Sequence, residues 1–358
     1  MSRFTPPEVA RFFRPARAAS FPAVALAGGL AFALALPITP AQANGEINIY
    51  SYRQPFLLKP LLDAYEDKTG TKANVVYAAK GLAQRLEAEG EQSPADVVLT
   101  VDISRLSVLA DKDLFAPISS AEIEKNVPAQ FRHPEGKWTA LSLRARVIAI
   151  SKKAGDADKL KHDEDLATPA WKGRLCTRPG SHVYNRALLA SVIAAHGVEE
   201  ATAWAKGVVG NLARKPQGHD RAQAKAIMEG QCDVAIMNSY YMGKMMTSDK
   251  AEQKDWANAV NLIFPNQGDR GTHVNISGGG IVKTSKNKDE ATRLLAFLTS
   301  PEAQRIYAET NFEYPVNPAV KPSETVKSWG AFTKDKLSIE KIAELSPTAQ
   351  KVIDQTGW

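Results

Sequence analysis

From residue 44 onward, short runs of apolar residues with strand character alternate with longer stretches at helical spacing. Ile47-Asn48-Ile49-Tyr50 reads as a short strand. After Pro55, Leu57, Leu58, Leu61, Leu62 and Tyr65 share one helical face until Gly70 stops it. Lys72–Tyr77 is a second strand, Leu82–Glu89 a second helix, residues 95–100 a buried third strand and residues 103–110 another helix. Repeated strand–helix–strand units predict an α/β fold with a mostly parallel sheet and helices on its faces.

The middle of the chain repeats the theme. Residues 147–151 form a strand; 187–195, 202–212 and 222–229 form helices; Val234–Asn238 and 260–264 are strands. Residues 276–282 are a further apolar strand whose Gly278-Gly279-Gly280 implies close backbone approach. Helices follow at 289–299 and 301–311, the second opened by Pro301, and a helical tail comes after Ser338. The strands near 145–150 and 275–282 are candidates to cross between two α/β halves. A ligand would then lie in the cleft where loops after strand ends converge.

The 358 residues are 44% hydrophobic and 23% charged, enough for about two domains and too apolar for a disordered chain. Two cysteines cannot be the framework of such a fold. Residues 1–43 hold four arginines and one glutamate, half of the net charge of +6. The remaining 41 basic and 38 acidic side chains form no polybasic run, which excludes nucleic acid as a partner. Residues 18–45 are uncharged, with an apolar run at 21–36, then Pro37, Pro40 and Ala41-Gln42-Ala43. This pattern predicts a signal peptide cleaved near Ala43 and a soluble, exported product with no stable membrane insertion after cleavage. The alternative, an N-terminal anchor, is disfavoured by Gly28-Gly29, the prolines and the A-x-A end. In an oxidising compartment the isolated pair Cys176 and Cys232 is expected to form a disulfide, two free buried thiols being the alternative.

Enzyme readings find no motif: G-x-S-x-G, H-E-x-x-H and the P-loop are absent, and the six histidines are scattered. The tyrosines say more. Tyr240 and Tyr241 directly follow the apolar strand 234–237, and Tyr184 follows a short strand at 175–177 and a turn at Gly180. Phenolate is a hard oxygen ligand suited to Fe3+, and coordination supplies the energy to deprotonate it near neutral pH. Aromatic core packing with locally bonded hydroxyls is the other reading of the same spacing.

Longer segments carry a resemblance: Ser-Pro-Ala-Asp-Val-Val-Leu-Thr-Val-Asp at 93–102, Arg-Ala-Arg-Val at 144–147, Ala-Arg-Lys-Pro-Gln-Gly at 213–218 and Asn-Ser-Tyr-Tyr-Met-Gly at 238–243. Phe-Pro-Asn-Gln at 264–267 and Gly-Thr-His-Val-Asn at 271–275 complete the set. From residue 47 to the end the chain resembles the periplasmic ferric-iron-binding proteins of ABC importers, a family that includes the cyanobacterial iron-uptake binding proteins. The resemblance implies a type II periplasmic-binding-protein fold, two lobes joined by hinge strands. Residues 44–143 with the returning segment 276–358 would form lobe 1, and residues 144–275 lobe 2. It implies a monomeric, non-enzymatic receptor that binds Fe3+ through Tyr184, Tyr240 and Tyr241 and delivers it to an inner-membrane ABC permease. The alternatives are a binding protein for a small organic ligand, with the tyrosines stacked on it, and a secreted α/β hydrolase.

One segment departs from the family pattern. Many relatives have Arg-His-Tyr after the first strand, whereas this chain has Tyr52-Arg53-Gln54-Pro55, placing Gln54 and Pro55 where a histidine and a tyrosine can ligate iron. Proline offers no side-chain donor, and the resemblance implies that carbonate or another anion fills the positions left open, with Tyr52 as a fallback ligand. Three phenolates neutralise Fe3+; an added carbonate makes the centre anionic, which a guanidinium would offset in a bidentate fork. Arg144 matches the family's cleft arginine. Arg53, beside Gln54, is a second candidate or a solvated loop charge. Lys244 lies one helical turn after Tyr240, and Asn275 and Thr100 are further candidate hydrogen-bonders.

Overall fold

A computed structural model describes residues 45–358; the predicted signal peptide and its cleavage site near Ala43 lie outside the described residues. The strands are β1 (Glu46–Ser51), β2 (Lys72–Tyr77), β3 (Val97–Thr100), β4 (Phe115–Ala116), β5 (Thr139–Ser151), β6 (Leu175–Cys176), β7 (Val234–Asn238), β8 (Val260–Ile263) and β9 (Val274–Val282). They run in the order β2-β1-β3-β9-β5-β7-β6, with β4 on β9 and β8 on β5. Among the described residues only the strand pairs β1–β2, β1–β3 and β6–β7 are parallel. The expected mostly parallel sheet is therefore corrected to a mixed one. The reason is β9, which returns from late in the chain and inserts antiparallel between β3 and β5.

β5 is the long member. Its first half pairs with β9 through Ala145, and its second half pairs with β7 from Arg146 to Ile150. Sequence pattern predicts only residues 147–151, because Ser142, Arg144 and Arg146 break the apolar run; all three are buried nonetheless. The glycines of β9 behave as their spacing predicts. A Cβ on Gly278 would stand 2.7 Å from both a Leu106 methyl and the Thr139 carbonyl, and one on Gly280 would stand 2.8 Å from the Phe115 ring. The helix Leu57 belongs to, Pro55–Thr69, ends at Gly70 in the left-handed conformation, as expected.

The two helices expected at 187–195 and 202–212 are both present within Val183–Gly210, separated by non-helical backbone at Gly197 (φ 83°, ψ 172°). The last helix, Ile339–Thr356, is capped by Ser338, and just beyond it Trp358 packs edge-on against Trp204 at 5.5 Å. Tyr240–Met246 and Ala251–Asn258 are helical without having been expected so, being too short to establish a periodicity. Among the described residues no helix is long and apolar enough to cross a membrane. A second apolar cluster, separate from the large core under the helices, gathers Val147, Met237, Met245 and Phe312 around the tyrosines.

Cys176 and Cys232 are disulfide-bonded, joining the end of β6 to the approach of its neighbour β7 across a sequence separation of 56. Closing a loop of that length restricts the unfolded chain by about 4 kcal/mol in the chain-entropy picture. The variant Cys176→Ala/Cys232→Ala should therefore unfold at lower urea with a loss of roughly 2–4 kcal/mol. Equal midpoints for the two proteins would contradict this.

Candidate metal centre

β6 and β7 are parallel neighbours, so the segments that leave their carboxyl ends emerge on the same edge of the sheet. From β6 the chain passes a turn and enters the helix Val183–Gly210, whose second residue is Tyr184. From β7 it passes Ser239, whose backbone N–H donates to the Ala145 carbonyl at 3.0 Å, and enters the helix Tyr240–Met246. Topology thus brings together three phenols from two distant segments. Tyr184, Tyr240 and Tyr241 are all buried and all line one cavity of about 190 Å³. The rings of Tyr240 and Tyr241 stack at 4.2 Å.

Burial, reinforced by the neighbouring phenol of Tyr184, pushes the Tyr240 and Tyr241 hydroxyls above the ordinary tyrosine range. Without a cation in the cavity these two phenols stay protonated. Among the described residues no group of three or more His, Cys, Asp or Glu side chains could hold a metal, which leaves the phenols as the clustered hard donors.

Guanidinium groups surround Tyr184. Arg144, Arg146 and Arg178 lie 5.2, 5.8 and 5.1 Å from its ring centre. Asp220 pairs with two of them, at 2.7 Å to Arg146 and 2.9 Å to Arg178. Burial alone would raise this carboxyl; Arg146 and Arg178 outweigh it and hold it below the usual carboxylate range. Three cations against this one carboxylate leave an excess of positive charge next to the cavity. Arg144 has a single partner, donating from Nη1 to Ser277 Oγ at 3.1 Å, while its buried Nε and Nη2 find none among the described residues. A buried, half-used guanidinium lining a cavity fits an oxyanion.

The other expected residues are placed differently from one another. Arg53 lines the cavity but is no solvated loop charge: it is 2% exposed, donates to both oxygens of Glu313 at 3.1 and 2.7 Å, and shares Ser277 Oγ with Arg144. Gln54 lines the cavity too, its side chain making no capping bond to the helix it precedes. The Tyr52 hydroxyl accepts from the Ala83 backbone N–H at 3.0 Å, at the start of another helix. Its ring carries the Arg105 guanidinium at 4.3 Å. Lys244 is half-buried, 5.6 Å from the Phe56 ring and 6.0 Å from that of Phe312, and does not line the cavity. Asn275 holds the turn at Asp102–Ile103, and Thr100 bonds the Asp102 carbonyl.

Arg105, Arg178, His182 and His219 also line the cavity, and sequence reasoning assigned them nothing. Isolated histidines and arginines carry no periodic signal. His182 had one usable sign, its place just before a helix: Nδ1 accepts from the Tyr184 backbone N–H at 3.2 Å. That bond leaves the proton of the neutral ring on Nε2, so the other side of the imidazole is a donor.

The model of the family "Bacterial extracellular solute-binding protein" matches residues 92–331. The iron uptake protein A1 of Synechocystis sp. is 42% identical over 321 residues, 89% of each chain. The apo ferric ion-binding protein A of Pasteurella haemolytica superposes with a TM-score of 0.84 at 47% identity, over 88% of this chain and 98% of that one. The Trichodesmium protein solved in complex with iron and citrate superposes at 0.82 with 43% identity, over 88% and 100%.

His273, immediately before β9, is buried beside the same arginines. Burial first, then Arg146 and Arg144, hold its pKa down to about 3 from the ordinary 6.5. A depressed folded value means that below pH 6.5 the unfolded chain takes up a proton the folded one refuses. The metal-free protein should lose stability as pH falls from 6.5 towards 3, by up to about 1.4 kcal/mol per pH unit for this group. Urea titrations across this window should show a shallower decline for His273→Asn; an unchanged slope would contradict it.

Proposed function

The chain belongs to the bacterial extracellular solute-binding protein family and has the type II periplasmic-binding-protein fold, and from that premise we propose that it captures Fe3+ in the periplasm for an inner-membrane ABC permease. The observation that carries this is the convergence of three buried phenols on one cavity beside the half-used guanidinium of Arg144. Tyr184, Tyr240 and Tyr241 are the proposed ligands. Each gives up its proton as it binds, so capture releases protons and weakens in acid. Three phenolates balance the ion's charge. The surplus positive charge around Tyr184 then suits a small oxyanion such as carbonate, held by Arg144 and filling positions that Gln54 and Pro55 leave open. This is a carrier's chemistry rather than an enzyme's.

In this reading residues 44–143 with 276–358 form one lobe and residues 144–275 the other, the protein acting as a monomer. Support comes from the register of the crossing strands: Leu143 faces Ile276 and Arg144 faces Asn275, so both strands pass the boundary at one level. Bending there would open and close the cavity. The proposed routes of release are protonation of the phenolates, or one-electron transfer from an external reductant to give Fe2+, a poorer partner for phenolate.

The test is a titration of metal-free mature protein with chelated Fe3+, with and without bicarbonate. A stoichiometric red-orange phenolate-to-iron band is expected, absent from Tyr240→Phe/Tyr241→Phe. Arg144→Met should lower ferric affinity by roughly 10–100-fold and remove most of its dependence on bicarbonate. No band in the wild type would overturn the ferric reading in favour of an organic ligand stacked on the tyrosines.

A further inference from the structure

A ferric site built from two distant segments needs something to hold those segments at one fixed separation. A single carboxylate reaches both. Asp220 is fully buried, begins the helix Asp220–Met228 and does not line the cavity. Its Oδ2 accepts from the Asn238 backbone N–H at 2.8 Å, two residues before Tyr240, and from Arg146 Nη1 at 2.7 Å. Its Oδ1 accepts from Arg178 Nη1 at 2.9 Å. Arg146 continues the chain of bonds, donating from Nη2 to Asn185 Oδ1 at 2.5 Å, the residue next to Tyr184. Asn185 in turn donates to the Arg178 carbonyl at 2.9 Å.

We infer that Asp220 is a positioning residue for metal capture: without touching the ion, it ties the Tyr184 helix to the Tyr240–Tyr241 helix and holds Arg178 over the Tyr184 ring. The inference rests on the ferric reading above. Chemistry explains why a carboxylate stands here. Three donors converge on two oxygens, and only an ionised carboxyl accepts all of them; an amide would turn a donor towards a donor. It also supplies the counter-charge for the buried Arg146 guanidinium and the half-buried Arg178.

Asp220→Asn keeps the shape and removes the charge and one acceptor. With the mature protein and chelated Fe3+, this variant is expected to lose roughly 10–100-fold in affinity. It should also give a weaker phenolate-to-iron band per bound iron, because intensity counts the phenolates attached. Arg178→Met severs one arm only, at a side chain that is partly exposed, and should fold. It should show the same change of band in smaller measure. The double variant should be no weaker than Asp220→Asn by more than about twofold, since both changes act through one carboxylate. A general loss of packing would lower the melting temperature yet leave the band per iron intact. A wild-type band with an unaltered band and affinity in folded Asp220→Asn would overturn the inference alone. Should Asp220→Asn fail to fold, an unaltered band in Arg178→Met would do the same. No band in the wild type would remove the ferric reading and this inference with it.

Discussion

A guanidinium withdrawn from water must find compensating charge, and β5 withdraws two from one face, Arg144 and Arg146, with Ser142 beside them. Their compensation organises everything around the cavity. Asp220 answers Arg146 and recruits Arg178. Glu313 answers Arg53 and accepts from Ser142 at 2.8 Å, while Ser277 on β9 accepts from both Arg53 and Arg144. Buried pairs of this kind add little net stability, because desolvation offsets attraction. Here they fix instead which way each side chain points. The positive charge they leave unanswered lies where the phenols converge.

Residues 311–314 bind that network to the rest of the chain. Asn311 donates to the Leu57 carbonyl at 2.9 Å, and Glu313 holds Arg53. Tyr314 exchanges backbone hydrogen bonds with Leu143 on β5, at 2.8 and 2.9 Å. Between them Phe312 adopts φ 58°, a left-handed conformation unusual for a bulky residue. The contacts on both sides hold it there, with its ring against Gly243 of the tyrosine-bearing helix. A displacement of that helix is thereby felt at Leu57, Arg53 and β5 alike.

Much of the fold was legible because most strands are short apolar runs bounded by turn residues, and the helix at Pro55–Thr69 shows its face plainly. β5 was legible only from Val147 on. Its earlier half hides charged side chains, and nothing in a one-dimensional pattern marks an arginine as buried. For the same reason Asp220 and Glu313 stayed invisible, since each is explained only by arginines far away in sequence. The tyrosines were legible as a constellation through the resemblance of the surrounding segments; spacing alone favoured core packing. The parallel sheet was misjudged because strand–helix alternation says nothing of a strand such as β9, which begins at Val274, 135 residues after β5 begins at Thr139. His182 shows the opposite case, a residue whose role at a helix start was readable but unremarkable until Tyr184 was seen two residues on.

The fit of Phe312 on Gly243 has an evolutionary consequence. A Cβ at residue 243 would stand 2.2 Å from the ring, so the ring or the helix would have to shift to admit it. A side chain cannot be added at 243 while Phe312 stays as it is. A lineage that acquired a side chain at 243 would first need a smaller residue at 312, and that intermediate would carry a hole beneath the tyrosines. A side chain at 243 is therefore admitted only beside a smaller residue at 312, which ties the composition of a helix to that of a connecting segment some seventy residues later.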